Sequence, residues 1–258
     1  IDARFLNSRL GLNFDFYIKD TKDWLVEAPI LATVGAGAPY INGGSVKNTG
    51  LELALTWNDE IGDFRYSIGA NGAYNKNEVG DIPTADGMVH GQNNQLYDNS
   101  PEFYRAENGK AIGYFYGYKV AGIFQNQADI DNWIAAGNGV KQSDVMPGDV
   151  KYYDINHDGA IDDNDKVDLG NGMPDFTFGF NVSLNYKGFD LSVVASGAAG
   201  QEIVQSYRNH SSKTANYTTA ILDRWTGEGT SNFMPRVTEQ NINWEFSDLY
   251  IHEGDYLR

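Results

Sequence analysis

The donor chemistry of this chain is concentrated in one short stretch, "DINHDGAIDDND". It spaces Asp154, Asn156, Asp158, Asp162 and Asp165 at positions 1, 3, 5, 9 and 12 of a twelve-residue loop, with the carbonyl of Ala160 at position 7. Hard oxygen donors in that alternation suit a calcium ion. Gly159 falls at position 6, where such a loop turns sharply, and Ile161 at position 8 can tuck inward as an apolar anchor. Asp165 is shorter than the usual bidentate Glu, and no amphipathic helices flank the loop. The expectation is therefore one structural Ca2+, not a sensor. The competing reading is an Asx-rich surface turn without metal.

Other chemistries find no footing. The chain has no cysteine, which removes disulfides, thiolate zinc sites and a cysteine nucleophile together. It has no G-x-S-x-G, H-E-x-x-H or Walker loop, and "GAGAPY" lacks the third glycine and the strand-to-helix setting of a dinucleotide site. His90, His157, His210 and His252 are scattered at loop-like positions, and among 35 acidic residues no spacing singles out an acid/base pair. An enzyme is not expected. A formal net charge of -16 argues against nucleic acid as a partner, because phosphate binding needs clustered Lys and Arg.

The elements that must hold the loop are strands. Leu10, Leu12, Phe14, Phe16 and Ile18 line one face of an extended segment, and Asn13, Asp15, Tyr17 and Lys19 the other. The pattern returns in "GLELALTWN" and "FRYSIGANGAYN", and twice in "DFTFGFNVSLNYKGFDLSVVASG" around a turn at Lys187 and Gly188. Ordinary strands run about 5 to 6 residues, whereas a strand crossing a bilayer needs about 9 to 11, which these match. Gly, Asn, Ser and Thr on the polar faces fit a lumen, and Trp57, Tyr74 and Tyr186 near strand ends fit an interfacial girdle. The fold class read from this is all-β: part of a large antiparallel transmembrane β-barrel with long extracellular loops, with about six membrane strands present. The alternative is a soluble secreted β-sandwich that binds carbohydrate and uses the same calcium loop for rigidity.

Short connections, Asp59 to Asp63 and Lys187 to Gly188, alternate with long ones, Asp20 to Lys47, Lys76 to Pro174 and Ala198 to Ser247. That alternation is the habit of outer-membrane barrels. It makes 76–174 a long extracellular excursion carrying the calcium-type loop, in which "GYFYGYKVAGIFQ" and "GDVKYYD" form an internal hairpin. It makes 198–248 a second extracellular loop, and "NQADIDNWIAAG" the one helical segment. Tyr97, Phe103, Tyr104, Trp133, Tyr207 and Trp225 could stack on sugar rings, face a partner or pack on each other. The surface from Gln201 to Asp248, with "RNHSS" and "DRWTGEGTSN", suits a partner or a ligand. Neither a signal peptide nor a membrane helix is present, and residues 1–258 read as a barrel segment of a longer chain.

"GGSVKNTGLELALTWN", "GYFYGYKVAGIFQ" and the run from "PGDVKYYDINHDGAIDDNDKVDLGNGMPDF" to "SVVASG" resemble the late barrel region of SusC/RagA-type TonB-dependent transporters of the Bacteroidetes outer membrane. The resemblance covers most of the chain. It implies a 22-stranded barrel closed by an N-terminal plug, importing glycan or peptide cargo captured by a SusD-like surface lipoprotein and driven by the TonB complex. It allows a homodimer of the transporter, with outer-membrane lipid around the wall. This sequence departs from the family by lacking plug and TonB box, so the resemblance assigns no gating or coupling residue here.

Overall fold

A computed structural model describes residues 1–27, 39–96, 100–205, 217–238 and 242–258. Its largest unit is a seven-stranded antiparallel sheet in the order β1 (Asp2–Phe5), β2 (Leu10–Lys22), β5 (Ser45–Ile61), β6 (Phe64–Gly80), β13 (Phe176–Tyr186), β14 (Phe189–Ala199) and β17 (Tyr256–Leu257). Between these run β3 (Leu25–Glu27), β4 (Tyr40–Asn42), β7 (Met88–His90), β8 (Tyr104–Glu107), β9 (Tyr114–Tyr118), β10 (Val120–Ile123), helix α1 (Gln127–Ala135), β11 (Val150–Tyr152), β12 (Lys166–Asp168), β15 (Glu202–Val204) and β16 (Ile251–Glu253).

Register fixes the two faces of the sheet. Phe14 pairs with Leu53, Leu53 with Gly72 and Gly72 with Phe178, so one cross-strand row follows another on a single apolar face. Because the side-chain period is two, a slip of one residue would send all of these rows to the polar face. The opposite face carries Asn13, Asp15, Glu52, Asn71 and Thr177 around an open cavity of about 400 Å³. At the turn end Phe64 lies 5.7 Å from Tyr66 and 6.4 Å from Tyr186, and Trp57 Nε1 approaches the Tyr66 hydroxyl at 3.4 Å. At the other end Tyr74 meets Phe176 at 4.9 Å. Aromatics thus bracket the apolar band at both edges.

That band is uncovered: Phe16 is 57% exposed, Leu53 44% and Phe189 80%. A β-sandwich would bury these rows, and among the described residues no second sheet packs on them. The tight turns follow local chemistry, with Lys187 (φ 48°) and Gly188 (φ 87°) both left-handed, as a two-residue hairpin matched to strand twist requires.

Two expectations need correction. Where about six membrane strands were expected, five strands of 11 to 17 residues are flanked by the short β1 and β17, which pair at the two sides of the sheet. The central strands also run past the expected limits, with β5 starting at Ser45, β2 ending at Lys22 and β6 ending at Gly80. Backbone pairing needs no apolar face, so the ladder continues through Lys47, Asn48, Lys76 and Asn77 after the apolar alternation stops.

The remaining elements form a second layer with an ordinary core, joined to the end of β6 where Val79 hydrogen-bonds Gly109 and Lys110 and packs with Ile82 and Ala106. Tyr118, Tyr152, Ile161, Trp244, Phe246, Leu249 and Tyr250 are buried together, with Phe103, Phe115 and Leu169 packed against them. A four-stranded sheet in the order β12-β9-β8-β7 and the β10-β11 pair frame this core, and neither joins the seven-stranded sheet. Helix α1 is capped at its N-terminus by Asn126, whose side chain accepts the Asp129 amide.

Candidate functional site

The Asp-rich loop spans the gap between β11 and β12, which pair with β10 and β9 respectively. Its first and last acids are drawn inward: Asp154 is 2% exposed and Asp165 fully buried. Asp154 Oδ2 accepts the amides of Gly159 at 2.8 Å and Gly139 at 3.0 Å, and its Oδ1 accepts that of Asp158 at 3.2 Å. Asp165 Oδ1 accepts the Ile155 amide at 2.8 Å and Oδ2 that of Asp162 at 2.8 Å, the latter half of a reciprocal cap with Asp162. Burial is the largest influence on Asp154 and raises its pKa. The backbone amides of Gly159, Gly139, His157 and Asp158 together outweigh it, and the carboxyl ends below its usual value.

Glycine is needed at two places. Gly159 adopts φ 85°, which an L side chain resists, and at Gly139 a Cβ would stand 2.5 Å from the Ala160 backbone. That close approach lets Val140 bridge Ala160 and clip the loop from outside. Ile161 is buried in the loop-layer core.

The predicted ligands divide into two groups. Asp154 and Asp165 come from opposite ends of the loop and are both turned inward, whereas Asn156, Asp158 and Asp162 are exposed. Asn156 Nδ2 donates to Asp158 Oδ2 at 2.9 Å, and Asp158 Oδ1 accepts the amide of Ala160, whose carbonyl was the position-7 donor. Among the described residues, no group of three or more Asp, Glu, His or Cys side chains is arranged to hold a metal by itself. No Lys or Arg pairs with Asp154 or Asp165 among those residues; Lys166, next in sequence, pairs with Asp163 at 2.8 Å.

Sequence reading missed a third buried carboxylate. Asp149 accepts Arg236 Nε at 2.6 Å and Nη2 at 3.2 Å, Asn243 Nδ2 at 2.9 Å and the Met146 amide at 2.8 Å. It ties the start of β11 to a segment almost ninety residues later, and no local pattern announces such a pairing. His90, one of the scattered histidines, is exposed at the end of β7, and its ring lies between Glu102 (Nδ1 to Oε1, 3.0 Å) and Asp86 (Nε2 to Oδ2, 3.3 Å). The hydrogen bond its ring donates to the Glu102 carboxylate raises its pKa, against burial.

The aromatics considered for ligand contact mostly pack on one another. Phe103 lies 5.1 Å from Phe246 and 5.1 Å from Tyr104, Trp133 lies 6.3 Å from Phe124, and Trp225 Nε1 donates to Gln125. Tyr97, Tyr207, His210 and the "RNHSS" segment lie outside the described residues.

Comparison with known proteins bears on the whole assembly of strands and loops. No family model matches the chain. Over its full length it is 29% identical to TonB-dependent receptor P3 and 29% identical to TonB-dependent receptor P26, both of Formosa agariphila, covering 25% and 26% of them. It is 24% identical to TonB-dependent receptor SusC of Bacteroides thetaiotaomicron, covering 24% of it. The chain therefore spans about a quarter of the length of the curated relatives it matches. Among solved structures it aligns along all its residues with the RagAB peptide transporter at a TM-score of 0.74 and 21% identity, covering 27% of that chain. With the RagAB peptide importer in the open-open state the TM-score is 0.71. From its first strand to its last, this chain is similar in sequence to TonB-dependent receptors, SusC among them, and shares the antiparallel fold of the matching part of the RagAB transporter.

Proposed function

We propose that this chain is part of the wall of an outer-membrane importer that takes up oligosaccharides or peptides by a TonB-dependent route, together with a SusD-like surface lipoprotein. The observation that carries this reading is the pairing of a whole-length match to TonB-dependent receptors with a sheet whose Phe and Leu rows are uncovered on one side and whose other side is polar. On this reading the uncovered rows meet acyl chains and the polar face borders the transport path. The layer holding the Asp-rich loop lies on the extracellular side, and the wall crosses the membrane several times. The TonB complex would act through parts of the protein other than the residues described. The test is a deletion of the parent gene in its bacterium, followed by growth on single polysaccharides and on peptide mixtures. Loss of growth on one cargo class, with the lipoprotein co-purifying with the tagged wild type, supports the proposal. Unchanged growth on every class overturns it.

For the loop we propose one structural Ca2+ held by Asp154, Asn156, Asp158, the Ala160 carbonyl, Asp162 and Asp165. The reading is supported by the spacing, by the left-handed Gly159 and by two inward-turned carboxylates without a cationic partner among the described residues. These residues would supply only oxygen donors, as a hard cation requires. Calorimetry on EDTA-treated protein tests it: calcium should raise the unfolding temperature in the wild type and leave D154N unmoved. An EDTA-treated wild type indifferent to calcium would establish the loop as a metal-free knot of carboxylate-to-amide hydrogen bonds.

A further inference from the structure

Charge is unevenly placed on the outward, apolar side of the wall. In β2, β5 and β6 the outward positions are read from the register: Ile18, Thr49 and Lys76 share one row, Asp20, Lys47 and Glu78 the next, and Lys22, Ser45 and Gly80 the one beyond. The first of these rows lies directly past Leu51 and Tyr74, where the apolar band ends. Lys22, Lys47 and Lys76 therefore step diagonally across three adjacent strands, diagonal neighbours in such a ladder lying about 7–8 Å apart. Every outward-facing lysine in the strands of the seven-stranded sheet lies in this one corner, in a chain whose net charge is -16. At the turn end the outward charge is Asp59, which pairs with Arg9 at 3.1 Å.

Two acids are interleaved with the lysines. Lys22 Nζ lies 3.3 Å from Asp20, but Lys47 and Lys76 form no ion pair among the described residues, although Glu78 stands across the ladder from Lys47. Both lysines are exposed. A lysine at the edge of an acyl-contacting band lays its methylenes along the band and lifts its ammonium to the headgroup level. Lys47 stands between Lys22 and Lys76 on the middle strand, so a phosphate seated beside it is flanked by a lysine from each neighbouring strand.

The geometry points to a lipid site: Lys22, Lys47 and Lys76 hold the phosphate of an anionic membrane lipid whose acyl chains lie on the Phe16, Leu51 and Leu53 rows below. The occupant follows from charge complementarity and from continuity with the apolar band, and it rests on the wall reading proposed above. Asp20 and Glu78 limit the net charge of the corner to +1, so the site selects a headgroup that brings its oxygens between the lysines.

The full-length protein in phosphatidylcholine nanodiscs, doped with diphosphoryl lipid A or with its dephosphorylated counterpart, provides the test, read as lipid retained in native mass spectrometry. The wild type should retain the phosphorylated lipid selectively. The triple variant K22S/K47S/K76S should retain it less by a factor on the order of a hundred at low ionic strength. K19S, whose lysine lies on the opposite, polar face, should behave as wild type. Equal retention by the triple variant, equal retention of the dephosphorylated lipid, or a loss in K19S as large as in the triple variant would overturn the site. Failure of the wild type to enter the bilayer at all would overturn the wall reading and the lipid site with it.

Discussion

The wall and the loop layer are made of similar apolar residues and treat them in opposite ways. Phe16, Leu53 and Phe189 stand uncovered on the wall, whereas Tyr118, Phe124 and Tyr250 in the loop layer are 1% exposed or less. Polar groups are reversed as well. The wall keeps Asn13, Glu52 and Asn71 in an open cavity, while the loop layer takes Asp149, Asp154 and Asp165 inside and satisfies each with backbone amides or an Arg. The lesson concerns solvent: the loop layer supplies its own apolar interior, whereas the wall leaves that role to its surroundings.

The largest effect that would sharpen this contrast is expected at Asp149. Asp149→Ala leaves Arg236 and Asn243 without their buried acceptor, and breaking a pair of this kind costs about 3–5 kcal/mol. Thermal unfolding of the detergent-solubilised protein should show the loop layer melting early while the sheet persists. A single unchanged transition would mean that the two regions are not energetically separate. Next in size is Leu53→Arg, which places a charge in the middle of the uncovered rows and should cost about 2–4 kcal/mol in a bilayer. Asn71→Arg, on the polar face of the neighbouring strand, should fold and insert nearly as the wild type does. Similar penalties for the two, measured by refolding into vesicles, would break the assignment of the faces.

The smallest effect is at His90. The Glu102 hydrogen bond raises the pKa of His90 above its usual 6.5. A raised histidine pKa contributes stability that is fully present below 6.5 and is lost as pH rises through the raised value. Glu102→Gln should bring the His90 titration, followed by NMR, back toward 6.5, and amide protection at Met88–His90, taken relative to intrinsic exchange rates, should then change less across that pH range than in the wild type. A wild-type His90 titrating at or below 6.5 would refute the clasp.

How much of this was legible in the sequence depends on the range of the interaction. The alternation from Leu10 to Ile18 and from Phe176 to Tyr186 announced strands and faces, because side chains in an extended chain point to opposite sides in turn whatever the partner. Strand ends were not legible: β5 runs back to Ser45 and β6 on to Gly80, since the ladder there is held by backbone groups that every residue carries. In the Asp-rich loop the spacing and the turn at Gly159 could be read, but not which carboxylates would be buried. That depends on Gly139 and Val140 arriving from outside the loop.

By itself, then, the sequence determined the period of the strands, the chemistry of each face, the tight turn at Lys187–Gly188 and the oxygen-rich composition of the loop, all of which act over a few neighbouring residues. Only the tertiary structure decided that Asp149 would meet Arg236, that His90 would sit between Asp86 and Glu102, and that Lys22, Lys47 and Lys76 would gather on one corner of the wall. Each of these joins separate strands or segments, and the pairing partner of a strand is set by register and packing across the sheet, which no local pattern encodes.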